Sequence, residues 1–244
     1  VNDDEAFREE GIRNAARMAE SDELHDLSIR WINRSAEFKY TYNFRWLGLP
    51  VIQYPADIVA LQEIVWEVKP DLIVETGVAR GGSLVLYASL LELIGGPGQV
   101  VGVEINLRDP NRKAIEAHPL AKRISFVEGS STSPEVLDQV AELAQRAERV
   151  MVVLDSNHTH EHVLDELKAY SPLVTLGSYL VVLDTVVADM PPEAFPDRPW
   201  GPDSNPRTAV REFLGTDDRF ELDEAFARRL LISVAPDGYL RRVR

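Results

Sequence analysis

Apolar residues recur at helical spacing among many charges over residues 4–34 (Ile12, Ala16, Met18, Leu24, Leu27, Ile29, Trp31), which predicts amphipathic helix. Residues 33–55 follow no period and are rich in aromatics (Phe38, Tyr40, Tyr42, Phe44, Trp46, Tyr54), as in an irregular arm. Helical spacing returns over 56–68 and stops before Pro70, which disfavours continuation. Short apolar runs then alternate with helical patterns. Strands are predicted at 71–75, 99–104, 124–128, 149–155 and 179–184, with helices at 83–93, 114–117, 134–146 and 161–170 between them. Strands with nearly continuous apolar runs, separated by helices, read as βαβ units of a parallel sheet buried on both faces. A helix is expected at 208–214. The run 230–235, the turn Pro236-Asp237-Gly238 and the run 239–243 predict a closing antiparallel hairpin. The expectation is one α/β fold: a doubly wound, mostly parallel sheet of seven strands, with residues 1–55 as a helical and aromatic extension and 56–244 as the domain.

Composition narrows the function. The 244 residues carry 26 Lys and Arg against 40 Asp and Glu, a formal charge of -14, which disfavours nucleic acid and anionic membranes as partners. There is no cysteine, so disulfides, thiolate zinc sites and thiol nucleophiles are excluded. The longest apolar runs have strand length, and neither a membrane span nor a signal peptide is expected. A cytoplasmic enzyme acting on a small-molecule acceptor is the default, and the N-terminal extension makes a homo-oligomer plausible.

The turn after the first strand reads Glu75-Thr76-Gly77-Val78-Ala79-Arg80-Gly81-Gly82-Ser83. Ligands of doubly wound sheets bind beyond the carboxyl ends of the strands, near the switch in strand order. An acidic residue stands where a dinucleotide fingerprint has its first glycine. A carboxylate there suits a ligand carrying ammonium and sulfonium charges better than a pyrophosphate, so S-adenosylmethionine is favoured over NAD. A glycine turn that serves only tight packing is the alternative. Glu75, Gly77, Arg80, Gly81 and Ser83 are the candidate residues of that turn. Glu104, ending the second strand, can accept ribose hydroxyls, and Gly129 with Ser130 is placed to meet the adenine.

The fourth strand ends at Asp155 and the fifth at Asp184, two carboxylates that can share one rim. Hard oxygen donors from two strand ends suit Mg²⁺ or a similar divalent ion, which would acidify a bound hydroxyl. Three of the five histidines lie close behind, at 158, 160 and 162. His158 is placed to take the acceptor proton, since imidazole titrates near neutrality. The H-x-H-x-H spacing also fits zinc, but the paired aspartates favour a harder ion. His160 is a candidate for the acceptor pocket, although a plain helix-start role suits it and His162. The long Pro/Gly loop 190–205 is expected to cover the acceptor, with Trp200 stacking on a sugar ring.

Several of these segments occur together, in order, in one known family. Lys69-Pro70-Asp71-Leu72-Ile73-Val74-Glu75-Thr76-Gly77 with Arg80-Gly81-Gly82-Ser83, Leu154-Asp155-Ser156 with His158, Gly177 to Val182 with Asp184-Thr185, Pro199-Trp200-Gly201-Pro202 with Asn205-Pro206, and Asp237-Gly238-Tyr239-Leu240 make up the match. From Trp46 to the C-terminus the chain resembles the cephalosporin hydroxylase and rhamnosyl O-methyltransferase family. The resemblance implies a class I methyltransferase fold, S-adenosylmethionine as cofactor, and a Mg²⁺ site from the strand-four Asp and an acidic pair after strand five. Here the ligands are Asp155 and Asp184, and Asp155 also borders the cofactor. The first member of the acidic pair falls on Leu183, which cannot bind metal, leaving water, Thr185 or another carboxylate to complete the set. The function implied is Mg²⁺-assisted O-methylation of a sugar hydroxyl, rhamnose-like, on a natural-product glycoside such as an antibiotic. The alternatives are a component of β-lactam hydroxylation or methoxylation, and a cofactor-binding scaffold without turnover.

Overall fold

A computed structural model describes residues 2–244. The N-terminal amphipathic stretch folds as two helices, α1 (Asp3–Ala19) and α2 (Asp22–Ala36). The break falls at Ser21, whose hydroxyl accepts from the Leu24 backbone N–H and so caps the second helix. The arm contributes a two-residue hairpin, β1 (Arg45–Trp46) with β2 (Leu49–Pro50), before α3 (Pro55–Val68).

The main sheet is built from β3 (Leu72–Thr76), β4 (Gln99–Glu104), β5 (Ile124–Glu128), β6 (Val150–Leu154), β7 (Tyr179–Val182), β8 (Phe220–Leu222) and β9 (Tyr239–Arg242). Its order is β5-β4-β3-β6-β7-β9-β8, parallel throughout except for β9, which runs antiparallel to both of its neighbours. The connecting helices are α4 (Gly82–Ile94), α5 (Asp109–Glu116), α6 (Pro134–Ala144), α7 (His160–Tyr170), α8 (Pro206–Thr216) and α9 (Glu224–Arg229). Successive strand residues point to opposite faces. Ile73, Val100, Met151, Val153 and Val181 join the core under α3 and α4, whereas Leu72, Val74, Val101, Val152, Leu154 and Leu180 join the core under α6, α7 and α8. Both faces are covered, as continuous apolar runs require. Strand order reverses between β3 and β6, so the carboxyl ends of β3, β4, β6 and β7 converge on one rim. Among the described residues no helix is long and apolar enough to cross a membrane.

The closing antiparallel pair is present, but its other strand differs from the expected one. Strand β9 pairs with Phe220–Leu222 and with β7, and the run 230–235 forms no strand. The backbone of that run is engaged elsewhere: the Val234 N–H donates to Asp57 at 2.9 Å, and the Val234 carbonyl accepts from Val186. A buried carboxylate on α3 thus takes a donor that a ladder would have used.

Candidate active site

The glycine turn leaves β3 at Thr76 and enters α4 at Gly82. Gly77 has φ +85°, and a Cβ there would collide with the Asp155 carbonyl, so only glycine lets β3 and β6 end side by side at the switch point. Glu104, at the tip of β4, accepts from the Val78 and Ala79 N–H groups at 3.0 and 3.3 Å and holds the turn in shape. Asn111, which the sequence did not single out, adds a bond to the Ala79 carbonyl at 2.7 Å. Beside this turn lies a cavity of about 290 Å³ lined by Gly77, Glu104, Gly129, Ser130, Asp155 and His162, among others. Glu104, Gly129 and Ser130 therefore share one space.

Glu75 is placed differently from what its charge suggested. It is fully buried, lines none of the described cavities and accepts from the Ser83 hydroxyl at 2.6 Å. Burial pushes its carboxyl up to about 8, against Ser83 and the neighbouring Tyr87, which favour the ionised form. Near pH 7 Glu75 is neutral, and it acts on the turn through Ser83 rather than facing a ligand. Ser83 lines a narrow crevice with Gly77, Arg80, Gly81 and Asp155, and Arg80 itself is exposed.

Asp155 follows β6 and Asp184 follows β7, the latter in the left-handed region at φ +55°, which aspartate tolerates better than most residues. Their carboxylate oxygens and a ring nitrogen of His158 all lie within 4.8 Å of one another. Asp155 retains some contact with the cavity yet sits deep in the fold, and burial, then Asp184 and Glu75, push its carboxyl well up. Two carboxylates so placed fit a divalent cation, whose charge would relieve this crowding. Leu183 is sealed in the core, and the Thr185 hydroxyl, named above as a way to complete the ligand set, donates to the Pro236 carbonyl. Thr185 therefore stays outside the group, and His158 is the third residue beside the two carboxylates.

The three clustered histidines point to three different places, which removes the zinc reading of their spacing. His158 sits 3.3 Å from Asp184 and edge-on to Trp200, ring centroids 4.9 Å apart. His160 turns to α8, bonding Thr208 at 2.8 Å and Glu212 at 3.2 Å, and stands apart from the Asp155 group. His162 reaches the 290 Å³ cavity and bonds Ser131 and Ser156 at 3.2 and 3.0 Å, with buried Glu166 at 3.5 Å raising its pKa. Helical spacing brings Glu166 beside His162, but it could not reveal Ser131, which lies 31 residues before His162 along the chain.

A larger cavity of about 580 Å³ opens over Asp155, His158 and Asp184. Its walls include Tyr40 and Tyr42 from the arm and Phe195, Arg198 and Trp200 from the 190–205 loop. The arm and the loop thus both reach the space beside the acidic group.

A switch-point cavity bordered by a strand-end glutamate, on a sheet of this order, defines the class I methyltransferase architecture. The chain belongs to the rhamnosyl O-methyltransferase/CmcI family, whose model matches residues 38–243. It is an S-adenosylmethionine-dependent O-methyltransferase. Rhamnosyl O-methyltransferase of Mycobacterium leprae is 32% identical over 198 residues, spanning 81% of this chain and 82% of that protein. A CmcI structure with Mg and SAM superposes with a TM-score of 0.58 at 21% identity, covering 83% of this chain and 78% of that one. MycE from the mycinamycin pathway, in complex with Mg, SAH and mycinamycin VI, gives 0.53 at 18% identity, covering 87% of this chain and 53% of that one. These two structural likenesses concern the fold.

Proposed function

We propose that the chain methylates a sugar hydroxyl, rhamnose-like, on a glycosylated small molecule, and that a Mg²⁺-type ion held by Asp155 and Asp184 assists. The observation that carries this reading is the meeting of Asp155, His158 and Asp184 within 4.8 Å under the 580 Å³ cavity. Relatives named for rhamnosyl methylation, and neighbours of like fold that hold Mg, support it.

When bound beside Asp155, the methyl donor would supply an electrophilic carbon on sulfur for the acceptor oxygen, with the neutral thioether as leaving group. The ion supplies positive charge that favours loss of the acceptor's proton. Every other task falls to side chains. Glu104, Gly129 and Ser130 hold the adenosine, and the Gly77–Ser83 turn borders the rest of the donor. His158, whose Nε2 lies 3.3 Å from Asp184, stands beside the ion as the base that takes the hydroxyl proton. Trp200, at right angles to His158 and with the Arg198 guanidinium over its ring, lines the space for the sugar, and Tyr40 and Tyr42 line it from the arm. His160 and Arg80 have no assigned contact in this scheme.

The test is transfer of labelled methyl from S-adenosylmethionine to an aryl α-rhamnoside. A methylated sugar is expected with Mg²⁺, falling at least tenfold in EDTA and restored by added Mg²⁺. No transfer to any rhamnoside would overturn the acceptor class, and undiminished transfer in EDTA would overturn the metal.

A further inference from the structure

The 38–55 segment is more than a flank of the domain, because it is built into the glycine turn. Trp46 Nε1 donates to the Ser89 hydroxyl on α4 at 2.9 Å, and a Cβ on Gly82 would collide with the Pro50 carbonyl and approach the Val51 nitrogen at 2.7 Å. Backbone of the arm therefore lies directly on the start of α4. Three residues past Pro50, the chain delivers Gln53 into the crevice formed by Gly77 to Ser83 and Asp155. Gln53 is 3% exposed, and its Oε1 is buried with no hydrogen-bond partner among the described residues. A buried carbonyl oxygen left bare is destabilising, so its place in a ligand crevice asks for a donor.

The crevice adjoins the adenosine-sized cavity, since Gly77, Ala79 and Asp155 line both. A molecule with adenosine in the larger space extends its tail past Gly77 toward Gln53. We infer that Gln53 binds the α-amino-acid end of the methyl donor, its Oε1 accepting from the ammonium group and its Nε2 donating to the carboxylate. A carboxamide matches a zwitterion in both senses, as neither a carboxylate nor an ammonium side chain can. The arm then completes the donor site, which explains why a neutral polar residue is sealed at its inner end. This inference rests on the donor placement proposed above.

The test compares two ligands that are both neutral at sulfur, S-adenosylhomocysteine, which has the amino-acid end, and 5′-methylthioadenosine, which lacks it. Calorimetric titration of the intact chain and of Gln53→Ala is expected to show S-adenosylhomocysteine affinity falling about ten- to a hundredfold, with 5′-methylthioadenosine changed less than about twofold. Gln53→Glu, equal in size, should show the same pattern through repulsion of the ligand carboxylate, and it serves if the alanine variant fails to fold. Unchanged S-adenosylhomocysteine affinity, or equal weakening of both ligands, overturns the inference while leaving the methyltransferase reading intact. A wild-type chain that binds neither ligand overturns the donor placement itself, and the inference with it.

Discussion

Carboxyl groups at the rim of this sheet divide by burial into two kinds. Asp155 and Asp184 retain access to the large cavity, whereas Glu75 is fully enclosed beneath the glycine turn. All three are acidic residues at or just beyond strand ends in the sequence, and nothing in residue type separates the enclosed one from the others. The consequence appears as a pH dependence. The folded-state pKa of Glu75, about 8, lies above the ordinary 4.5, so the folded chain holds a proton that the unfolded chain releases as pH rises from 4.5 to 8. Stability is therefore lost across that window. Glu75→Gln, which keeps an acceptor for Ser83 and cannot ionise, should unfold in urea at about the wild-type midpoint at pH 4.5. At pH 8 it should be more stable by roughly 2 kcal/mol or more. A variant less stable than wild type at pH 8 would mean that Glu75 is ionised in the fold. Asp57 is a second enclosed carboxyl, pushed up to about 6 by burial while accepting from Ser233, Val234 and Tyr239. Its role was invisible in the sequence because its partners lie 176 residues or more away along the chain.

Among the elements, those with long regular patterns were legible and those defined by side-chain capture were not. The five parallel strands and most helices stand within a few residues of their predicted limits, because a strand buried on both faces leaves an unmistakable apolar run. The final strand was legible but its partner was not. Phe220–Leu222 is only three residues long, and the more apolar run 230–235 is held out of the sheet by Asp57 and Val186. Two elements outside the minimal fold carry predictions of their own. The arm is pinned where Pro50 crosses Gly82, so Gly82→Ala should cost about 1–3 kcal/mol in urea unfolding and expose residues 38–54 to limited proteolysis. An unchanged midpoint and cleavage pattern would mean that the arm is not seated there. The 190–205 loop brings Trp200 against His158 over the acceptor cavity. Trp200→Ala should raise the acceptor KM about tenfold, while S-adenosylhomocysteine affinity stays within about twofold. Equal losses for both ligands would make Trp200 a general support of the rim.

For the whole molecule, the switch in strand order between β3 and β6 gathers onto one rim the Glu75–Ser83 glycine turn, Glu104 at a strand end and two aspartates, separated by up to 109 residues. The motifs were readable one at a time; what the sequence could not supply was their separation in space, which decided that His158 joins the aspartates while His160 and His162 leave them. It also could not show that Leu183, where the family pattern places an acid, turns into the core, or that His158 comes to lie beside the two aspartates. The central claim is that this group holds a divalent cation beside the methyl donor. The most direct measurement is Mn²⁺ binding, by electron paramagnetic resonance, to the chain saturated with S-adenosylhomocysteine. One ion per chain in the wild type is predicted, lost in Asp184→Asn with S-adenosylhomocysteine affinity retained. Equal Mn²⁺ binding by both proteins, or none by the wild type, would contradict it.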